Sequence, residues 1–191
     1  MPELTTTDQF NIIDTPGLND ARIDTKDWVD RFNDANNGAG PQPLALAILL
    51  FKACSRPAND DYVVLGVCDK AIGNLNPKNV VLIFTHCDQD NEFTHDYAYE
   101  WFNDGIKLND IGIPQVTKER IFLFKGKNGQ GGQSTTHEEI SKWIKDNIVP
   151  EEAATVQAVN YEALVADGIA SGNEEMKQAF SAIEEMRKQN A

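Results

Sequence analysis

Short apolar runs alternate with longer amphipathic stretches through most of the chain. Runs this short and this apolar are typical of strands that are buried on both faces of a parallel sheet. Their β-branched and aromatic content favours strands over buried helices of the same length. The predicted strands are Phe10–Asp14, Leu44–Lys52, Val80–Thr85 and Ile121–Lys125.

The stretches between these runs carry apolar residues at three-to-four spacing, which predicts helices. Thr136 and Glu139 have the spacing of a capping box at the start of the last one. The alternation predicts an α/β three-layer sandwich with a mostly parallel sheet and right-handed crossovers. The predicted helices are Asp24–Asn36, Asp60–Ile72, Thr94–Leu108 and Thr136–Ile148.

The pattern changes at Pro150, after which no strand signal is present. We predict a domain over residues 1–149 and a helical extension over residues 150–191. The extension has two helices, Glu151–Val165 and Asn173–Gln189, and the second shows an amphipathic stripe. We expect this stripe to pack on the same domain, and pairing with another chain is the alternative.

Charge and cysteine content exclude several functional classes. The formal net charge of −13 disfavours nucleic acid and anionic lipid as partners. The longest apolar run, Leu44–Phe51, is much shorter than the roughly 20 residues of a membrane span, so we expect no transmembrane segment. No signal peptide pattern is visible. The three cysteines form no C-x-x-C pair, which indicates free thiols and a cytoplasmic protein.

Two motifs follow predicted strands and could carry chemistry. Asp14 and Gly17 form a D-x-x-G sequence, suited to Mg²⁺ and to a close approach of the backbone to phosphate. Thr85 to Asp88 form a T-x-x-D sequence, whose carboxylate could accept two hydrogen bonds from guanine. An Asp-capped turn is the simpler interpretation of the first motif. A zinc site at His86, Cys87 and His95 is a weaker alternative for the second.

Together the two motifs resemble the AIG-type GTPases, the immunity-associated and plant-type branch of the septin-like P-loop GTPases. Residues 13–18 read I-D-T-P-G-L, as in the third guanine-nucleotide motif of that family, and Thr85 to Asp88 resemble the fourth. The resemblance covers about residues 9–148 and implies a regulatory switch that binds GTP or GDP with Mg²⁺. It implies that Asp14 holds the metal through water and that Gly17 contacts the γ-phosphate. The remaining roles that it implies are a mobile switch at Leu18–Gly40, guanine recognition by Asp88, a base-flanking position for His86 and a fifth motif at Lys125 and Gly126.

The chain departs from the family in lacking the G-x-x-x-x-G-K-[ST] loop that holds phosphate. The glycine-rich run Gly126–Thr135 has Gly132 where that loop needs lysine, so we interpret it as a surface loop. By the resemblance, a central strand is also missing beside Leu44–Phe51, which leaves a rebuilt sheet or an exposed edge. We therefore expect a truncated domain with impaired GTP binding, and we do not assign hydrolysis to it because no catalytic base is visible.

The alternative is a degenerate pseudo-GTPase that does not bind nucleotide. It would act as an interaction module and pair with a second copy or with another protein through residues 151–191.

Overall fold

The computed structural model describes residues 3–6, 11–14, 24–36, 42–53, 58–73, 75–87, 93–106, 108, 111–124, 135–148 and 153–190. Within these ranges the chain forms eight strands and six α-helices. The strands are β1 (Glu3–Thr6), β2 (Asn11–Asp14), β3 (Gln42–Leu44), β4 (Ala47–Lys52), β5 (Ile72–Gly73), β6 (Val80–Thr85), β7 (Ile121–Leu123) and β8 (Ala154–Val156). The helices are α1 (Thr25–Asn36), α2 (Asn59–Ala71), α3 (His95–Glu100), α4 (His137–Asn147), α5 (Tyr161–Ile169) and α6 (Glu174–Asn190).

Strands β4, β6 and β7 form a parallel sheet with β6 in the middle. Helix α2 connects β4 to β6, and α3 lies between β6 and β7 along the chain. Parallel neighbours need such long connections, which helices usually supply. The predicted α/β class with a parallel sheet is confirmed in this three-stranded form. Three of the four helices predicted before residue 150 are present with shifts of one residue at their ends, whereas the helix predicted over Thr94–Leu108 is α-helical only as far as Glu100.

The other strands pair antiparallel. β1 pairs with β2, with Glu3 opposite Asp14, and β8 lies between β3 and β5. The prediction that the strand ending at Asp14 belongs to the parallel sheet is therefore wrong. A hairpin partner a few residues away costs little loop-closure entropy, and this local pairing is the one that the chain adopts. The predicted strand Leu44–Lys52 is also divided, because β3 ends at Leu44 and β4 begins at Ala47.

The main core lies on one face of the parallel sheet. Leu49 and Phe51 of β4 and Leu82 and Phe84 of β6 are buried there. Helices α2, α5 and α6 belong to the same cluster, as does a π-helical turn at Trp101–Gly105 that directly follows α3. This face therefore carries most of the buried apolar surface of the described residues.

The opposite face has a smaller cluster. Val81 and Phe122 pack beneath Ile140 of α4, and Trp143 meets the Phe122 ring edge-on at 5.4 Å. The predicted capping box starts this helix: the Glu139 N–H donates to the Thr136 hydroxyl at 3.2 Å, and the Thr136 N–H donates to the Glu139 carboxylate at 2.7 Å.

The outer edge of β4 pairs with no other described strand. Ile48 and Leu50, which lie on the same face as Val81, are 43% and 64% exposed. Among the described residues, the sheet therefore has the exposed edge, one of the two expected outcomes. No helix in the described ranges combines the length and the apolar character that crossing a membrane requires.

The C-terminal residues pack on the same domain, as expected for the amphipathic stripe. Phe180 of α6 is fully buried against Gly66 of α2 and Gly168 of α5, where a Cβ on either glycine would overlap its ring. The prediction of no strand after residue 150 is wrong, because Ala154–Val156 form β8. The first helix begins at Tyr161 rather than Glu151, since residues 154–156 form β8 and residues 157–160 follow it without helical structure.

Candidate functional site

The carboxyl ends of β4, β6 and β7 meet at one edge of the parallel sheet, where α/β proteins usually bind ligands. The residues that follow the two outer strands remain bonded to the middle one. The Ala53 N–H donates to the Thr85 carbonyl at 2.9 Å, and the Phe124 N–H donates to the Phe84 carbonyl at 2.7 Å. The three strand ends are thus held together by the backbone.

Thr85 connects β4 to the first residue after β6. Its hydroxyl donates to the Phe51 carbonyl at 3.2 Å, and its oxygen lies 3.0 Å from His86 Nδ1. A hydroxyl that gives its single proton to Phe51 accepts from the imidazole in the tautomer that is protonated at Nδ1. In the neutral ring this leaves Nε2 as an acceptor on an exposed side chain.

His86 adopts a left-handed backbone conformation with φ of 60°, the one non-glycine residue with positive φ in the described ranges. This conformation costs roughly 1–2 kcal/mol for a residue with a Cβ. The next residue, Cys87, is buried, and its thiol donates to the Phe84 carbonyl at 3.2 Å. The turn thus buries the cysteine and leaves the histidine facing solvent. Strain of this kind clusters at functional sites.

The structure brings together only part of the predicted site. Thr85 and His86 are adjacent at the sheet edge and share a hydrogen bond. Asp14 ends β2, which is paired with β1 rather than with the parallel sheet, and its side chain lies outside the described part. The remaining predicted positions are outside the described residues: Gly17, Asp88, Lys125 and Gly126. Of the predicted switch at Leu18–Gly40, residues 18–23 and 37–40 are outside them as well, while the middle of the segment forms α1; of the loop Gly126–Thr135, only Thr135 is described.

The zinc alternative has no support in the geometry. Cys87 and His95 are engaged with backbone carbonyls, the latter through a 2.7 Å contact between Nε2 and Ile121 O. In the described ranges, no group of three or more His, Cys, Asp or Glu side chains is arranged to hold a metal ion.

The aromatic cluster beneath the sheet edge contains a feature that sequence patterns did not predict. Trp101 lies at the start of the π-helical turn and packs edge-on against Phe84 and Phe51, with ring centroids 5.3 and 5.4 Å apart. Its buried Nε1 has no hydrogen-bond partner in the described part of the chain. No sequence signal indicated the π turn or the unpaired indole nitrogen.

A second concave region lies away from the strand ends and was also missed. It is a cavity of about 240 Å³ beside α2, α5 and α6. Lys70 lies there and contacts Asp167 at 2.9 Å and Asp69 at 3.5 Å. The hydrogen bond with Asp167 raises the pKa of Lys70. The ammonium thus already partners both carboxylates, and none of the predicted site residues lines this cavity.

Comparison with known proteins returns no match. No protein-family model matches the chain, and neither a curated protein nor a solved structure matches it significantly.

Proposed function

We propose that this chain is a guanine-nucleotide-binding domain similar to the AIG-type GTPases, and that its base-binding site lies at the carboxyl end of β6. The observation that carries the proposal is the position of the T-x-x-D sequence. It starts at the last residue of the middle strand of a parallel sheet, at the edge where such sheets bind ligands.

The local geometry supports a binding role for this turn. The Thr85 hydroxyl ties β4 to the imidazole of His86, so the turn has little freedom to rearrange. The left-handed His86 presents an exposed ring beside the sheet edge. In the proposal, this ring flanks the base, Asp88 accepts hydrogen bonds from guanine, and Lys125 and Gly126 follow the neighbouring strand β7 on the other side.

The phosphate end of the ligand has weaker support. The chain contains no G-x-x-x-x-G-K-[ST] sequence, and β2, which ends at Asp14, is not a strand of the parallel sheet. We therefore propose that the base supplies most of the selectivity and that Asp14 and Gly17 add a weak contribution with Mg²⁺. Such a ligand binds less tightly than it would to a complete phosphate loop.

The test is a titration with fluorescent GTP and Mg²⁺, with unlabelled GTP and ATP as competitors. We expect displacement by GTP and not by ATP. Asp88→Asn should weaken binding about tenfold or more, a loss of about 1.4 kcal/mol. The matched control is Asp146→Asn, an equal charge change at an exposed position of α4, which should leave binding unchanged.

A rescue separates recognition from misfolding. Xanthine carries an oxygen in place of the guanine 2-amino group, and the amide that Asp88→Asn introduces can donate to that oxygen. This variant should therefore prefer the xanthine nucleotide. In His86→Gly the fold should survive, because glycine accepts the left-handed conformation. This variant therefore tests the contribution of the imidazole ring to nucleotide binding without unfolding the chain. Equal affinity of the wild type for GTP and ATP, or no binding to a folded chain, would reject the proposal.

The second candidate is a pseudo-GTPase that acts by binding a protein. The separation of β2 from the parallel sheet favours it, since the two predicted motifs then lie on different sheets. Its predicted contact surface is reduced, because α5 and α6 pack on α2. A well-folded chain without nucleotide binding would favour this candidate.

A further inference from the structure

The outer edge of β4 combines an open backbone with an uncovered apolar face. In a parallel ladder every second residue directs its N–H and C=O toward a given neighbour. The Ala53 N–H donates to the Thr85 carbonyl of β6, so Ala53 and the odd-numbered residues before it direct their backbone groups toward β6. Ile48 and Leu50 therefore direct their backbone groups to the outer edge, where no other described strand pairs.

The same two residues present the apolar face. In register, Ile48 lies beside Val81 and Leu50 beside Ile83. Helix α4 covers Val81 completely and leaves Ile83 half-buried, while Ile48 and Leu50 are exposed. An uncovered edge strand with exposed branched apolar side chains is a surface on which another extended chain can pair.

We propose that β4 binds an extended, basic segment of another protein, which adds to the sheet as a fourth strand. The backbone edge selects an extended chain, because only a strand can satisfy a row of alternating donors and acceptors. Apolar residues at alternate positions of the segment cover Ile48 and Leu50. The contact at Ile48 and Leu50 is apolar, and Lys52, the one charged residue of β4, lies on the same face at the carboxyl end of the strand.

Charge determines which kind of chain fits. The protein has 30 acidic and 17 basic residues, a net charge of −13, so a second copy is repelled at long range. A basic segment is attracted by the same field, which raises its association rate at low salt. The complementary charge therefore favours a basic partner over self-pairing of β4.

The test uses a fluorescein-labelled peptide that alternates valine with lysine, added to the full chain without nucleotide. Anisotropy should report saturable binding that weakens with salt, and hydrogen exchange at residues 47–52 should slow. Two control peptides should not bind: one alternates valine with glutamate, and the other is N-methylated on the edge that would pair with β4.

Two variants provide a matched comparison. Leu50→Lys places a charge on the proposed surface and should weaken binding about tenfold. Met186→Lys makes the same charge change at another exposed apolar side chain, 56% exposed near the end of α6, and should have no effect.

Three outcomes would overturn the proposal. They are absence of peptide binding, an equal loss in both lysine variants, and binding of the N-methylated peptide. A dimer in light scattering that Leu50→Lys dissociates would assign the surface to a second copy instead. Nucleotide binding is not involved in any of these measurements, so this proposal and the proposed function can fail separately.

Discussion

The two faces of the parallel sheet differ in how they are covered, although the same strands build both. Alternate residues of β4 are buried on one face, as Leu49 and Phe51 are, and exposed on the other, as Ile48 and Leu50 are. Helices from both halves of the chain cover the first face, whereas α4 alone contributes helical residues to the smaller described cluster on the second. In β4, the odd-numbered residues therefore contribute to stability, and the even-numbered residues remain exposed and available for contact.

The largest expected effect concerns the buried face. Phe84 is fully buried and its ring lies 5.1 to 5.7 Å from those of Phe93, Trp101 and Phe51. Phe84→Ala should lower the free energy of unfolding by about 3–5 kcal/mol, because it leaves a cavity in this cluster. Leu50→Ala, on the exposed face, should cost less than about 1 kcal/mol. Urea unfolding measures both, and equal costs would contradict the difference between the faces.

A moderate effect is expected for α4, which covers part of the second face. Thr136→Ala removes the hydroxyl that accepts from the Glu139 N–H and should cost about 1 kcal/mol. Lys142→Ala, at an exposed position of the same helix, should be nearly neutral. Hydrogen exchange should show faster opening of α4 in the first variant only, and faster exchange throughout the buried face would indicate that the two faces are not independent.

Sequence patterns predicted α4 and β6 well, because the signals for both elements lie within a few neighbouring residues. The capping box at Thr136 depends on residues three apart, and β6 is a continuous apolar run, so each could be recognised without its partners. β8 could not, because three residues are too few for a periodic signal and acquire strand geometry only by lying between β3 and β5. The pairing of β2 with β1 was missed for the same reason, since pairing depends on partners that periodicity does not specify.

Only a small part of the candidate site could be checked against the structure. The placement of Thr85 and His86 at the end of a strand follows from the apolar run before them. The strained backbone at His86 did not follow, because the left-handed conformation is uncommon for every residue except glycine, and the burial of Cys87 that accompanies the strain is a tertiary effect.

The smallest effect concerns the ion pair between Asp96 of α3 and Lys118, 2.6 Å apart and exposed. The hydrogen bond and charge of Lys118 lower the pKa of Asp96 below its ordinary value of 3.8. The contribution of the pair to stability is therefore present above pH 3.8, and it is lost as the pH falls through the lowered pKa of Asp96 in the folded protein. Asp96→Asn should reduce this loss slightly. Urea midpoints at about pH 6 and about pH 3 measure it, with Asp104→Asn as control; a larger acid sensitivity in Asp96→Asn would contradict the sign.

The position of β8 affects how this protein is made. β8 lies between β3 and β5 and is synthesised after both of them. During synthesis, β3 and β5 therefore emerge before the strand with which both of them pair. A nascent chain can form the hairpin of β1 and β2 early, and it can close the antiparallel sheet of β3, β8 and β5 only after Ala154–Val156 have emerged. A polypeptide cut short before Ala154 would therefore lose the central strand of one sheet.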